Sequence, residues 1–153
     1  QVGTPLDGSQ SGLLDPVLKA SGMSREISGA VVLGTVAGDI HEIGKSLVAT
    51  MLTASGFVVH DLGVDVPAEK FIDAVRETGA NLLGLSALLT TTMSVQRNII
   101  EALKEAGLRD QVKVMLGGAP VNSQWAEEIG ADGYAEDASG AVALARRLVG
   151  ATT

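Results

Sequence analysis

The chain has 153 residues, a formal net charge of −7, 46% hydrophobic residues and 3% aromatics, so it suits one domain with an aliphatic core. The acidic balance gives no gain from counterion release, which argues against a nucleic-acid partner. Cysteine is absent, which excludes disulfides, thiolate metal sites and cysteine nucleophiles and fits a cytoplasmic protein; no apolar run is long enough to cross a membrane.

Residues 1–28 read as a flexible arm or linker, because Gln1 to Gly12 is rich in Gly, Ser and polar residues. Within that arm, Leu13 to Ala20 suits a short helix, with Asp15 as cap and Pro16 at the first helical position. No basic patch followed by an apolar core marks a signal peptide. Residues 29–153 read as the folded domain.

From Ala30 onward, short apolar runs alternate with amphipathic segments. The strand-like runs are Ala30–Val36, Phe57–Leu62, Asn81–Leu85, Val112–Leu116 and a short one near Gly133–Ala135. Helical spacing falls at about 43–55, 67–78, 92–106, 121–129 and 137–149. Gly56, Gly79, Gly107 and Gly130 stand where these helices should stop, and Pro67 where the second should start. Strands alternating with helices predict an α/β fold, a five-stranded parallel sheet with helices on both faces. The flavodoxin-like (Rossmann-like) order 2-1-3-4-5 reverses direction between strands 1 and 3, which puts a crevice between the loops that follow them.

Those loops are 37–44 and 86–92, with 117–120 next along the same edge. The first carries Gly38, Asp39, Ile40, His41, Glu42, Ile43 and Gly44. Asp39 and His41 are two apart, so the carboxylate can turn back onto one imidazole nitrogen and leave the other for a metal. The plainer alternatives are a surface histidine beside a helix start and an Asp39 N-cap. Ser86 and Thr90 could satisfy loop backbone, Thr91 and Thr92 could cap the third helix, and Gly117 and Gly118 could be a turn. A phosphate cradle is excluded, because the glycine required upstream of Gly44-Lys45-Ser46 would fall at Asp39. A receiver domain would need an acceptor aspartate where Ser86 stands. His60, Trp125, Glu127-Glu128 and Arg146-Arg147 read as structural or solvated positions.

Asp39-Ile40-His41-Glu42-Ile43-Gly44 resembles the Asp-x-His-x-x-Gly signature of cobalamin-binding domains. Ser86-Ala87-Leu88 is similar to the family's Ser-x-Leu, and Gly117-Gly118 to its Gly-Gly pair. The finer pattern, Gly34 to Lys45, Asp61 to Pro67 and Ser86 to Met93, resembles corrinoid proteins of methyltransferase systems acting on methanol or methylamines. Glu42-Ile43-Gly44 departs from the adenosylcobalamin mutases. Methionine synthase carries a similar domain, with a serine in place of Thr92.

The resemblance implies a cobalamin cofactor (methylcobalamin, hydroxocobalamin or a related corrinoid) whose benzimidazole tail leaves cobalt and enters a slot beside the sheet. His41 would be the metal ligand in its place, with Asp39 accepting from the other nitrogen and Thr92 completing the relay. Gly38 and Gly44 would let backbone approach the corrin and the slot. Ser86, Thr90 and Thr91 would offer hydroxyls to the tail, and Leu88 an apolar wall. Gly117 and Gly118 would leave room for the nucleotide loop, and Tyr134 and Ala135 would close the far side. The implied activity is a methyl carrier, not a complete enzyme, that serves a donor-specific methyltransferase and an acceptor methyltransferase and is maintained by a reductive activation protein. A cobalamin-sensing or storage module is the alternative. Residues 1–28 are too few for the family's N-terminal helical cap, so the resemblance implies that the cap was trimmed from this chain or is missing, with a possible remnant in residues 1–28.

Overall fold

The computed structural model describes residues 29–151; the arm and its short helix lie outside the described residues. The strands are β1 (Gly29–Thr35), β2 (Phe57–Asp61), β3 (Leu82–Ser86), β4 (Lys113–Gly117) and β5 (Gly133–Tyr134). The α-helices are α1 (Ile43–Ala54), α2 (Ala68–Thr78), α3 (Thr90–Glu105), α4 (Ser123–Ile129) and α5 (Ala138–Ala151), and a short 3-10 turn spans Arg109–Gln111. The strands form one parallel sheet in the order β2-β1-β3-β4-β5. This is the flavodoxin-like arrangement that the alternation of elements predicts.

The core divides by sheet face, as the pleat requires. Val32, Leu83, Leu85, Val114 and Leu116 pack with Phe71, Val75, Ile99, Ile100 and Leu103 of α2 and α3 on one face. Val31, Leu33, Leu82 and Met115 pack with Leu52 of α1 and with Leu144, Ala145 and Leu148 of α5 on the other. The parallel register sets Leu33, Gly84, Met115 and Gly133 side by side in one row. Leu33 and Met115 belong to the α1/α5 face, so Gly84 between them leaves this face thin there, while Leu144 covers Gly133. Two positions further along, Thr35, Ser86 and Gly117 form the last row before the loops.

Several boundaries differ from expectation for local reasons. Helix α3 begins at Thr90, two residues before the expected start, because the Thr92 hydroxyl folds back onto Leu89 N (3.3 Å) and Leu89 O (2.9 Å). A β-branched threonine run reads as loop until that cap is recognised. Pro67 is the residue before α2 rather than its first, with extended backbone and its carbonyl accepting from Lys70 N at 3.0 Å. Asn122 caps α4 by accepting from Trp125 N at 2.8 Å. Trp125 itself is partly buried against the core, its indole donating to Gln96 Oε1 at 3.0 Å. Gln96, fully buried, donates to Leu85 O at 2.9 Å and ties α3 to the end of β3.

Candidate functional site

The loop between β1 and α1 is held from every side. Gly38 has a φ of 88°, which glycine adopts freely, and this turns the chain so that Asp39 points inward. Asp39 is 1% exposed, yet it sits among four donors. Its Oδ1 accepts from His41 N at 3.2 Å and faces His41 Nδ1 at 2.5 Å. Its Oδ2 accepts from Leu88 N at 2.7 Å and from Thr92 Oγ1 at 2.8 Å. Two oxygens with two donors each satisfy a carboxylate fully. Burial alone would raise the Asp39 carboxyl, but the bonds from His41, Leu88 and Thr92 outweigh it and lower the pKa from 3.8 to about 2.

An ionised Asp39 can only accept, so His41 Nδ1 carries the proton of this bond. In the neutral ring the other nitrogen, Nε2, then keeps its lone pair. The His41 side chain is 48% exposed, against 0% for that of Asp39. The ring is thus anchored at its buried edge, and its backbone is pinned as well, because the buried Thr35 hydroxyl donates to His41 O at 3.0 Å. The chain can therefore offer one oriented imidazole donor to a metal. Among the described residues no three His, Asp or Glu side chains converge on one metal position. A single donor suits a metal that arrives already ringed by other ligands.

Around His41 the surface is apolar. Ile40 is 73% exposed on the same loop, Ile43 87% at the start of α1, Leu47 follows on α1, and Leu89 lies exposed on the loop after β3. Beside them a cavity of about 360 Å3 opens between α1 and α5 above Leu33, Gly84 and Met115 of the sheet. That volume lies within the range of small-molecule sites, roughly 300–1,000 Å3. Gly84 makes its depth, since a Cβ there would stand 2.7 Å from Leu33 Cδ1 and project over that row. Lys45, Leu47 and Val48 of α1 wall one side, and Ala138 and Ala141 of α5 the other.

The residues expected at the site fall into distinct places. Gly44, Ser86, Leu88, Gly117, Gly118 and Ala135 border the cavity. Asp39, His41 and Thr92 form the hydrogen-bonded relay beside it. Ile40 and Ile43 belong to the apolar surface, and Glu42 accepts from Ser46 Oγ at 3.0 Å at the start of α1. Thr90 and Thr91 open α3 with exposed side chains and do not border the cavity. Tyr134 packs with the α2/α3 core on the opposite face, because the pleat alternates along β5, and only Ala135 reaches the cavity. Gly118 has a reason other than room for a ligand. Its φ is 122°, and a Cβ would lie 1.8 Å from Ala87 O, so it lets the loops after β3 and β4 touch.

Sequence reasoning gave no role to Lys45, Asp61, Gly84 or Thr35. Lys45 is 2% exposed, and its Nζ donates to Asp61 Oδ1 at 2.6 Å and Oδ2 at 2.8 Å, with Glu42 at 3.4 Å. A lysine inside the apolar periodicity of α1 was a usable signal for a buried ion pair. A glycine inside the apolar run of β3 was another, since it marks close approach.

Comparisons with known proteins identify relatives of this chain. A family model for the B12 binding domain matches residues 29–143. The chain is 55% identical over 132 residues to dimethylamine corrinoid protein 3 of Methanosarcina mazei, covering 86% of this chain and 79% of that protein. Among solved structures it is similar to the monomethylamine corrinoid protein of Methanosarcina barkeri, with 44% identity and a TM-score of 0.77, covering 87% of this chain and 64% of that one. It is also similar to a chain of the methanol:cobalamin methyltransferase complex of the same organism, with 34% identity and a TM-score of 0.78, covering 92% and 54%. The chain spans 56–79% of the length of the dimethylamine corrinoid proteins that it matches.

Proposed function

The chain belongs to the B12-binding domain family, and from that membership we propose that it is a corrinoid-binding methyl carrier in which His41 is the protein ligand of cobalt. The observation that carries the reading is the relay itself. A half-exposed imidazole is held through Nδ1 by a buried, ionised carboxylate that Leu88 N and Thr92 hold in turn. The neighbouring surface fits such a group: exposed Ile40, Ile43 and Leu89 suit an apolar macrocycle, and the cavity between α1 and α5 suits its nucleotide tail.

A bound corrinoid would supply methyl-transfer chemistry at its cobalt. The residues of this chain bind and orient. His41 presents Nε2, and Asp39 fixes the tautomer and raises the basicity of the ring. Thr92 steadies Asp39 and can hold its hydroxyl proton at Oδ2. Gly44, Ser86 and Gly117 border the space for the tail, and Leu88 walls it. By analogy with the methylamine and methanol proteins, the donor is a small methylated compound handled by a separate methyltransferase. A second methyltransferase would take the group, and a reductive activation protein would serve as the further partner. We place the carrier in the cytoplasm, on its cysteine-free composition. No helix among the described residues is long and apolar enough to cross a membrane.

The test is reconstitution with hydroxocobalamin, desalting and a visible spectrum, beside His41→Ala. Stoichiometric retention with a histidine-ligated spectrum, lost in the variant, is expected. Equal retention and equal spectra in both proteins would refute His41 as ligand. Methyl transfer to a thiol acceptor in the presence of a donor-specific methyltransferase separates a carrier from a storage or sensing module.

A further inference from the structure

We propose that Asp65 is a positioning residue for His41, and that the loop after β2 acts as the splint that holds the metal-binding loop in register. The role rests on the corrinoid reading above.

Asp65 is the non-glycine with positive φ among the described residues, at 51°. An L-residue in the left-handed region is strained and persists only where its surroundings fix it. Here the surroundings are the residue before Asp39 and Asp39 itself. Gly38 N donates to Asp65 Oδ1 at 2.8 Å, and Asp65 N donates to Asp39 O at 2.9 Å. Asp65 thus grips the chain on both sides of the Asp39 side chain, one bond from its side chain and one from its backbone. Neither bond touches the imidazole. Both set where the Asp39 carboxylate stands, and that carboxylate sets the ring.

The rest of the splint is backbone. Thr35 N donates to Gly63 O at 3.0 Å, Val66 N donates to Thr35 O at 3.0 Å, and Val36 bridges Val66. Lys45 closes the far end by pairing with Asp61. The segment from Asp61 to Val66 therefore meets the β1–α1 loop before, at and after the Asp39–His41 pair. A plain turn residue would need only the left-handed backbone. Asp65 also supplies a side-chain acceptor to a glycine whose own φ of 88° aims Asp39 inward.

Three variants separate these contributions. Asp65→Asn keeps an Oδ1 acceptor and tolerates left-handed backbone, so it should bind corrinoid like wild type. Asp65→Gly relieves the backbone but removes the acceptor. It should fold as stably as wild type, exchange its Gly38 amide faster, and bind hydroxocobalamin about tenfold more weakly, the low end for residues behind a metal ligand. Asp65→Ala loses both and should be weakened in stability and affinity. The experiment titrates each full chain with hydroxocobalamin, reduces the complexes to cobalt(II) with a one-electron chemical reductant, records the electron paramagnetic resonance spectrum for nitrogen splitting, and measures urea midpoints of the cofactor-free proteins. If wild type binds with nitrogen splitting and Asp65→Gly matches it in affinity and splitting, the Asp65 role is overturned while the corrinoid reading stands. If wild type itself retains no corrinoid, the reading fails and the Asp65 role falls with it.

Discussion

Replacing Thr92 by valine tests the relay without any cofactor. Valine nearly matches threonine in shape, so no cavity opens at this 5% exposed position. What disappears is the hydroxyl that donates to Asp39 Oδ2 at 2.8 Å and accepts from Leu89 N at 3.3 Å. A bond to a charged acceptor contributes about 1.5–3 kcal/mol, and a long neutral cap bond about 0.5–1 kcal/mol. The expected loss is therefore about 2–4 kcal/mol, a large share of the ~5–15 kcal/mol typical of a domain. Urea unfolding of the cofactor-free chain at neutral pH measures it, with Thr92→Ser as the variant that keeps the hydroxyl. The pH dependence gives a second reading. The Asp39 pKa in the folded chain is about 2, below the ordinary 3.8. Its contribution is then full above pH 3.8 and is lost as pH falls through about 2. Thr92→Val weakens one cause of that lowering. The gap between valine variant and wild type should be widest above about pH 4 and narrow on acidification. A destabilisation below about 0.5 kcal/mol, within the range of an inert surface change, would refute the relay. A gap that widens on acidification would refute it as well.

Two glycines at the site should behave oppositely. Gly118→Ala places a Cβ 1.8 Å from Ala87 O at a φ of 122°, so it should unfold the chain or cost more than about 3 kcal/mol. Gly44 has no described atom within 4 Å of a Cβ and lies in the first turn of α1, so Gly44→Ala should leave stability unchanged or raise it by up to about 1 kcal/mol. The same variant should retain less hydroxocobalamin, because Gly44 borders the cavity; unchanged retention would remove the cofactor reason for that glycine. Lys45→Met leaves Asp61 without its cation. Because the Asp61 side chain is 34% exposed, the loss should be about 1–3 kcal/mol, below that for a fully buried pair. Adding Asp61→Asn should cost little more, and additive losses would contradict direct pairing.

The sheet order and the helices were legible because the signals are local and redundant: aliphatic runs, helical spacing and glycines that stop helices. Asp39 and His41 were legible for the same reason, since two residues two apart close their own hydrogen bond. Thr92 was legible only through the family resemblance, because its contact with Asp39 spans 53 residues of chain. The position of Lys45 in the apolar periodicity of α1 signals burial, but its partner Asp61 lies 16 residues away on β2 and only the fold brings the two together. Thr90, Thr91 and Tyr134 show the converse. They are neighbours in sequence of site residues, but Thr90 and Thr91 fall in the first turn of α3 and Tyr134 on the opposite face of β5, and none borders the cavity. Asp65 carried no signal of its own; its left-handed backbone exists only once the loops after β1 and β2 meet.

The central claim is that an imidazole nitrogen of His41, and not the benzimidazole of the cofactor, would bind cobalt. The direct measurement reconstitutes chain grown on 15N-labelled histidine with unlabelled cobalamin, reduces it to cobalt(II) and records the electron paramagnetic resonance spectrum. The account predicts that the threefold nitrogen splitting seen with unlabelled protein becomes twofold, and that His41→Ala loses it while His60→Ala keeps it. A threefold splitting that survives labelling would place the cofactor's own base on cobalt and contradict the account.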